Sequence, residues 1–164
     1  MKKKIHLSSK IFLINKKFQK NKFYHYIKLP NVVITIPTLK NKKFILVNQK
    51  RIPINKKNYE FPSGWVDAGE KPIESAKREL LEETGYKTKS NPRSLLSFYP
   101  EPGRLNTKMI CFYCKNIYKI SKPEKGIKIY YYSKQEIIKL IKEKKFNNAS
   151  HIAAFYFYIS KIDL

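Results

Sequence analysis

Apolar residues along this chain follow two periods. Residues 5–14 (IHLSSKIFLI) and 23–29 (FYHYIKL) are runs rich in Ile, Phe and Tyr, and read as two strands joined by a lysine-rich turn. Residues 32–37 (VVITIP) and 43–49 (KFILVNQ) follow as a hairpin around Lys40, Asn41 and Lys42. The unbroken apolar run VVITI is that of a strand covered on both faces. Over 72–84 the period becomes helical, with Ile73, Ala76 and Leu80 as the inward stripe. Pro72 suits the first turn of that helix, and Gly85 the left-handed position after its end. Residues 94–100, 108–118 and 127–132 read as further strands, with the loop EPGRLN between the first two. Ser133 and Glu136 form a capping box that opens a helix to about Lys144. A last helix covers roughly 149–161, with Ile152, Phe155, Tyr156 and Ile159 on one face. There is no internal repeat and no low-complexity linker. The order predicts an α+β fold with helices packed on a mixed sheet.

Composition narrows the class. A chain of 164 residues, 42% hydrophobic and 14% aromatic, has the size and the apolar content for one cored domain. No stretch approaches the ~20 apolar residues of a membrane span. The short N-terminal apolar run is broken by lysines and followed by no small-residue cleavage site, so a cytoplasmic protein is expected. The net charge of +23 raises the question of a nucleic-acid partner. Yet the arginines are few (Arg51, Arg78, Arg93 and Arg104) and the lysines run along the whole chain, which reads as biased composition. Loose, non-specific, salt-sensitive contact with polyanions is all it predicts.

Cys111 and Cys114 lie three apart in a strand, on opposite faces, and no second Cys/His pair completes a zinc site. His6, His25 and His151 do not cluster in sequence. No serine or cysteine stands in a nucleophile motif, so no covalent intermediate is expected.

The acids are placed unevenly. None precedes Glu60, and Glu60, Asp67, Glu70, Glu74, Glu79, Glu82 and Glu83 crowd into one short window. Glu79, Glu82 and Glu83 stand at i, i+3 and i+4, so their carboxylates repel one another across one helical turn. A solvated acidic face would look the same. In a lysine-rich chain, though, lysine is missing from the positions that would relieve the repulsion. That favours a hard divalent cation with oxygen ligands. Where lysine is the default cation, an arginine suggests that a planar fork is needed for a phosphate or carboxylate.

From Gly64 the sequence runs GWVDAGEKPIESAKRELLEETGY. It resembles the box of the Nudix hydrolases, G-x5-E-x7-R-E-U-x-E-E-x-G-U, with U a bulky aliphatic residue. Gly64, Glu70, Arg78, Glu79, Leu80, Glu82, Glu83 and Gly85 match, and Tyr86 departs at the final aliphatic position. The resemblance implies a Nudix fold, a mixed sheet sandwiched by helices, and Mg2+ or Mn2+ as cofactor. Glu79 and Glu83 would be direct metal ligands with Glu82 near them, and the carbonyl of Ser63 would be a further ligand. Arg78 would orient the glutamates and Glu70 would support the loop.

Flanking segments are most similar to the ADP-ribose pyrophosphatase branch. They are Gln49-Lys50-Arg51, YEFPSGWVDAGE with Glu60 and Pro62, YPEPGR at 99–104, and FNNASHIAAFYFY. This likeness implies hydrolysis of ADP-ribose or a related nucleoside diphosphate sugar to a nucleoside monophosphate and a sugar phosphate. Arg51, Glu60 and Arg104 would contact substrate. The sequence departs from that pattern at Asn106 and Thr107, where a glutamate is common. The loop SKPEKGI holds a single acid, Glu124, where related enzymes place a catalytic glutamate among several. Adenosine-binding aromatics are not identifiable in the N-terminal region. A GDP-sugar, a dinucleotide or an RNA 5′ end stay open as substrates, as does a non-catalytic nucleotide-sensing module. Such modules usually lose box carboxylates, and none is lost here. Residues 1–30 read as a strand extension suited to forming a homodimer, and 31–164 as the Nudix domain.

Overall fold

The computed structural model describes residues 13–19 and 22–162. Two antiparallel strands, β1 (Leu13–Gln19) and β2 (Lys22–Lys28), come first, so most of the strand expected over 5–14 lies outside the described residues. Strand β3 (Val32–Pro37) lies inside a four-stranded sheet. Strand β4 (Phe44–Arg51) belongs to another sheet. Pairing across the turn that joins them is limited to the bridge Thr38–Phe44 and the Leu39 N–H on the Lys43 carbonyl, so the expected hairpin does not extend along the two strands.

Two strands absent from the sequence reading frame the box: β5 (Lys56–Glu60) and β6 (Ser63–Trp65). Helix α1 spans Pro72–Thr84, with Pro72 in its first turn and Gly85 at φ 76 closing it. Strands β7 (Tyr86–Thr88), β8 (Arg93–Phe98), β9 (Leu105–Asn106), β10 (Met109–Cys114) and β11 (Ile117–Lys119) follow. The single strand expected over 108–118 is broken at Asn116, which takes φ 55. Strand β12 (Lys128–Tyr132) leads into helix α2 (Lys134–Lys142), capped by Ser133 and Glu136 as predicted, and α3 (Ala149–Ile162) ends the chain's described part.

The four-stranded sheet has the order β6-β3-β10-β8, with β3 and β10 parallel. Strands β12, β4 and β5 form an antiparallel sheet, β11 pairs β7, and β9 adds to β2. Side-chain alternation along β3 serves two helices. Val33 packs with Ala76 of α1 and Phe112, and Thr35 Oγ1 donates to the Ala76 carbonyl at 3.2 Å. Ile34 and Ile36 pack with Phe155 and Tyr158 of α3. The fold is thus a mixed α+β sandwich, helix on sheet on helix, and β3 is buried on both faces as its composition requires. Cys111 and Cys114 are free, buried and on opposite sides of β10, in different core clusters. The α3 stripe is turned from the expected one. His151, Ala154, Phe155 and Tyr158 are buried, Ile152 and Ile159 flank them, and Tyr156 is exposed. No described helix is long and apolar enough to cross a membrane.

Candidate active site

Arg78 is the hub of the box. Its Nε and Nη2 donate to Glu70 Oε1 and Oε2 at 3.1 and 3.0 Å, and Nη1 donates to Glu79 Oε1 at 2.7 Å and Glu82 Oε2 at 3.1 Å. Nη2 also reaches the Trp65 carbonyl at 2.9 Å. One planar fork therefore ties the loop, β6 and α1 together, which a lysine could not do. Glu70 closes the loop by accepting from the Ser75 hydroxyl and the Asp67 N–H. Arg78, and after it Ser75, holds the Glu70 carboxyl down to about 2.

Glu79 lies against Gly64. A Cβ there would fall 2.0 Å from Glu79 Oε1 and 2.2 Å from its Cδ, so only glycine leaves room for this carboxylate. Burial raises the Glu79 carboxyl; Arg78 opposes this, and Glu82 and Glu124 reinforce it. Glu83 is 6% exposed. Its Oε1 accepts from Gln49 Nε2 at 2.8 Å and its Oε2 from the Ser63 N–H at 2.9 Å. Burial pushes its carboxyl up to about 7 despite these donors.

The ladder also fixes the backbone of Ser63. Thr35 N–H donates to the Pro62 carbonyl and Val66 N–H to the Asn31 carbonyl, so Gly64 pairs inward with Val33. By alternation Ser63 turns its N–H and carbonyl away from β3, toward Glu83.

Among the described residues no three His, Cys, Asp or Glu side chains stand as a ready metal cluster. Arg78 draws Glu79 and Glu82, while Gln49 and Ser63 hold Glu83. The donor chemistry nonetheless fits a hard divalent ion. All donors are oxygens, and burial disfavours two of the charges unless a cation or a proton offsets them.

Arg51 and Glu60 form one unit beside the box. Arg51 Nε donates to Glu60 Oε2 at 3.0 Å, and Nη2 donates to the same oxygen. Glu60 is 1% exposed and also accepts from Asn58 Nδ2 and Asn148 Nδ2. Burial opposes both charges, but the pair outweighs it: Arg51 is raised and Glu60 lowered. Glu83 and Glu79 add to the rise of Arg51, and Gln49, two residues before it on the same face of β4, is bonded to Glu83. Of the other expected site residues, Glu124 has its N–H on the Glu82 carbonyl at 2.9 Å, which brings it to the end of α1. Arg104 is exposed on the turn after Glu101, and its carbonyl accepts from Ile27 N–H at 2.8 Å.

Sequence reading gave no role to Gln49, Asn58 or Asn148. Gln49 and Arg51 stand two apart on β4, so strand alternation alone puts both on the face toward α1. His151 is a core acceptor. Its Nδ1 accepts from the Phe61 N–H at 3.0 Å, and its ring stacks on Phe61. Cavities of about 680 and 530 Å³ are lined by none of these carboxylates.

Burial holds the His151 imidazole down to about 4, against an ordinary value near 6.5. A depressed folded-state value means that stability is intact above pH 6.5 and lost as pH falls toward 4, because the unfolded chain takes the proton first. The expected loss from this residue between pH 7.5 and 5 is about 2 kcal/mol. Urea unfolding at the two pH values checks it. His151→Gln should be less stable at pH 7.5 but lose clearly less on acidification; an equal loss in both proteins refutes the assignment.

The chain resembles several characterised proteins over part of its length. It is 38% identical to an ADP-ribose pyrophosphatase of Bacillus subtilis (strain 168) over 77 residues, 47% of this chain and 41% of that protein. It is 50% identical to an ADP-sugar pyrophosphatase of Mus musculus over 50 residues, 30% of this chain and 23% of that protein. Among solved structures, a crystal structure of an ADP compounds hydrolase superposes with a TM-score of 0.80. It is 20% identical, and the match covers 95% of this chain and 89% of the other. The NUDIX domain family matches residues 28–153, most of the chain, and with the box geometry this shows that the protein belongs to the Nudix family.

Proposed function

We propose that this protein hydrolyses the diphosphate of ADP-ribose or a related nucleoside diphosphate sugar, releasing a nucleoside monophosphate and a sugar phosphate. The observation that carries the reading is the convergence of Glu79, Glu82 and Glu83 on one helix turn, two of them buried, with Glu83 bonded to Gln49 on the β4 face that also bears Arg51. Relatives whose names describe ADP-ribose and ADP-sugar pyrophosphatases support the substrate class.

Glu79, Glu83 and the Ser63 carbonyl would hold Mg2+ or Mn2+, with Glu82 beside them. When bound, the metal would neutralise the diphosphate and lower the pKa of a water. Arg78 keeps Glu79 and Glu82 oriented, and Gln49 does the same for Glu83. Arg51 keeps Nε and Nη2 on Glu60, which anchors it, and would turn Nη1 toward the substrate's phosphates. Glu124 supplies a second carboxylate near Glu79 as proton acceptor, and Arg104 reaches the distal sugar from its turn. The buried free thiols suit a reducing, cytoplasmic setting.

The test is a panel of nucleoside diphosphate sugars and dinucleotides, incubated with millimolar magnesium and resolved by chromatography. ADP-ribose should yield AMP and a sugar phosphate, and a chelator should stop the reaction. Binding of nucleotide without turnover would overturn catalysis in favour of a sensing module. Within this reading, Arg51→Lys should raise KM about tenfold or more, because a point charge cannot replace the fork. A KM unchanged in Arg51→Ala removes the residue from the site.

We also infer that residues 1–30 form an extension through which two copies pair. In the described part, β2 meets the rest of the fold through Ile27–Leu105 and Lys28–Asn106 alone in its ladder with β9. A two-stranded piece is marginal alone and needs another surface for its apolar residues, and two-fold pairing is the commonest solution. Sedimentation at physiological salt should show twice the monomer mass of 19.5 kDa. A single species at the monomer mass excludes the dimer.

A further inference from the structure

The Arg51–Glu60 pair is joined unevenly. A guanidinium and a carboxylate often meet fork to fork, two donors on two oxygens. Here Arg51 Nε and Nη2 both go to Glu60 Oε2. The other oxygen, Oε1, is taken by two amides, Asn58 Nδ2 at 3.1 Å and Asn148 Nδ2 at 3.3 Å. Each carboxylate oxygen thus has two donors, one for each lone pair. The Glu60 side chain is 2% exposed and that of Arg51 38%, so water is not at hand to replace a donor lost from Glu60, while the guanidinium reaches solvent. Nη1 of Arg51 has no hydrogen bond to any described residue.

Local rules fix both amides. Asn58 stands two residues before Glu60 on β5, so strand alternation puts the two side chains on one face. Asn148 precedes α3 and caps it, its Oδ1 accepting from the Ser150 N–H at 3.1 Å. The two ends of this amide do separate work, the oxygen on the helix and the nitrogen on Glu60. Of the good capping side chains, serine and threonine offer a hydroxyl on a shorter arm, and ionised aspartate offers no donor. Helix α3 is itself anchored in the core through Phe155 and Tyr158, so the Asn148 donor stands on a fixed element.

We propose that Asn58 and Asn148 are positioning residues for substrate binding: by filling Glu60 Oε1 they confine Arg51 to Oε2 and leave its Nη1 for the diphosphate. The inference rests on the reading of Arg51 as a substrate contact. Without the amides, Oε1 is a buried acceptor with no partner, a costly state. The guanidinium, already bonded to the same carboxylate, is the donor at hand. It would turn to span both oxygens, and Nη1 would leave the direction in which it meets phosphate.

The test compares the wild type, Asn148→Ser, Arg51→Lys and the two changes combined. Serine caps as well as asparagine, so α3 keeps its start. KM and kcat are taken with magnesium, and the dissociation constant of ADP-ribose by calorimetry without metal. Asn148→Ser should raise KM and the dissociation constant on the order of tenfold, the scale of one lost hydrogen bond to a charged group, with kcat within about twofold. Lysine has no fork to aim, so in Arg51→Lys the same change should move either constant less than about twofold. Asn58→Ala, which leaves α3 untouched, should give the same pattern. Equal shifts in the two backgrounds overturn the proposal. So does a lower melting temperature with both constants kept, which would make the amides partners of a buried acid and no more. Binding as tight in Arg51→Lys as in the wild type removes Arg51 from the site and the inference with it. Wild-type binding without turnover overturns hydrolysis alone, and the dissociation constants then decide the positioning role in the same way.

Discussion

Glu83→Gln is expected to lower turnover of ADP-ribose on the order of a thousandfold while the thermal midpoint stays within a few degrees. The two halves of this expectation have separate causes. Glutamine keeps the shape, and its carbonyl oxygen can still accept from the Ser63 N–H, now at 2.9 Å from a carboxylate oxygen. The other contact, from Gln49 Nε2, becomes donor against donor, and the Gln49 amide can turn over to accept. The substitution also removes a charge that burial disfavours, as the rise of the Glu83 carboxyl to about 7 indicates. Stability therefore changes little. Activity does not tolerate the change, because a neutral amide is a poor ligand for a hard divalent ion. Losing several kcal/mol of transition-state stabilisation corresponds to two to four powers of ten in rate. Turnover measured beside a melt decides it. A folded variant with more than a tenth of the wild-type rate would remove Glu83 from the metal-binding set.

The legible parts of this fold are those whose signals are local. Pro72 and Gly85 bound α1, Ser133 and Glu136 open α2, and the apolar run VVITI marks the strand covered on both faces. What the sequence did not reveal depends on partners far away in the chain. Strand β5 reads KKNYE, a poor strand former by composition, and is extended because β4 pairs with it from Val47 to Arg51. Strands β3 and β4 look like a hairpin because they are adjacent and apolar. Yet β3 takes β10 and β6 as neighbours, and β4 takes β12 and β5. Tyr86 departs from the aliphatic expected at its position and still fills it. Its ring packs with Ile45 and Leu80, and its hydroxyl meets that of Tyr131 at 3.0 Å.

The site shows the same division. The helical spacing of Glu79, Glu82 and Glu83 is visible in sequence, and so is the arginine that binds the first two. Arg51 could be singled out from the sequence as a candidate to contact substrate, but its anchorage could not. Glu60 on β5 and Asn148 at the start of α3 come together only in the folded chain. The likeness of its segment marked Glu60 as a candidate, but nothing in the sequence showed that it is buried and holds Arg51.

The two box glycines should respond to alanine in opposite ways, and the contrast separates function from folding. At Gly64 the added Cβ would collide with the carboxylate of Glu79, 2.0 Å from Oε1. That group is the end of a flexible side chain, so it can swing aside at little cost to the fold. Arg78 would follow it or release it, and either way Glu79 leaves the place from which it would hold a metal. Gly64→Ala should therefore stay folded and lose about a hundredfold or more in activity, a few kcal/mol of transition-state stabilisation. At Gly85 the obstacle is backbone. A Cβ there would stand 2.1 Å from the Ser121 carbonyl oxygen, and the residue has φ 76. The left-handed conformation alone costs about 1 kcal/mol for a residue with a side chain. The collision must also push away the 121–124 segment, which is held by Ile120 and Ser121 N–H on the Gly85 carbonyl and Glu124 N–H on the Glu82 carbonyl. Gly85→Ala should lose several degrees of melting temperature, with activity falling in step because Glu124 moves with its loop. Melting curves and turnover for both proteins settle the matter. If Gly64→Ala is the unstable one, or keeps its activity, then the close approach of Glu79 to β6 is not what the reaction requires.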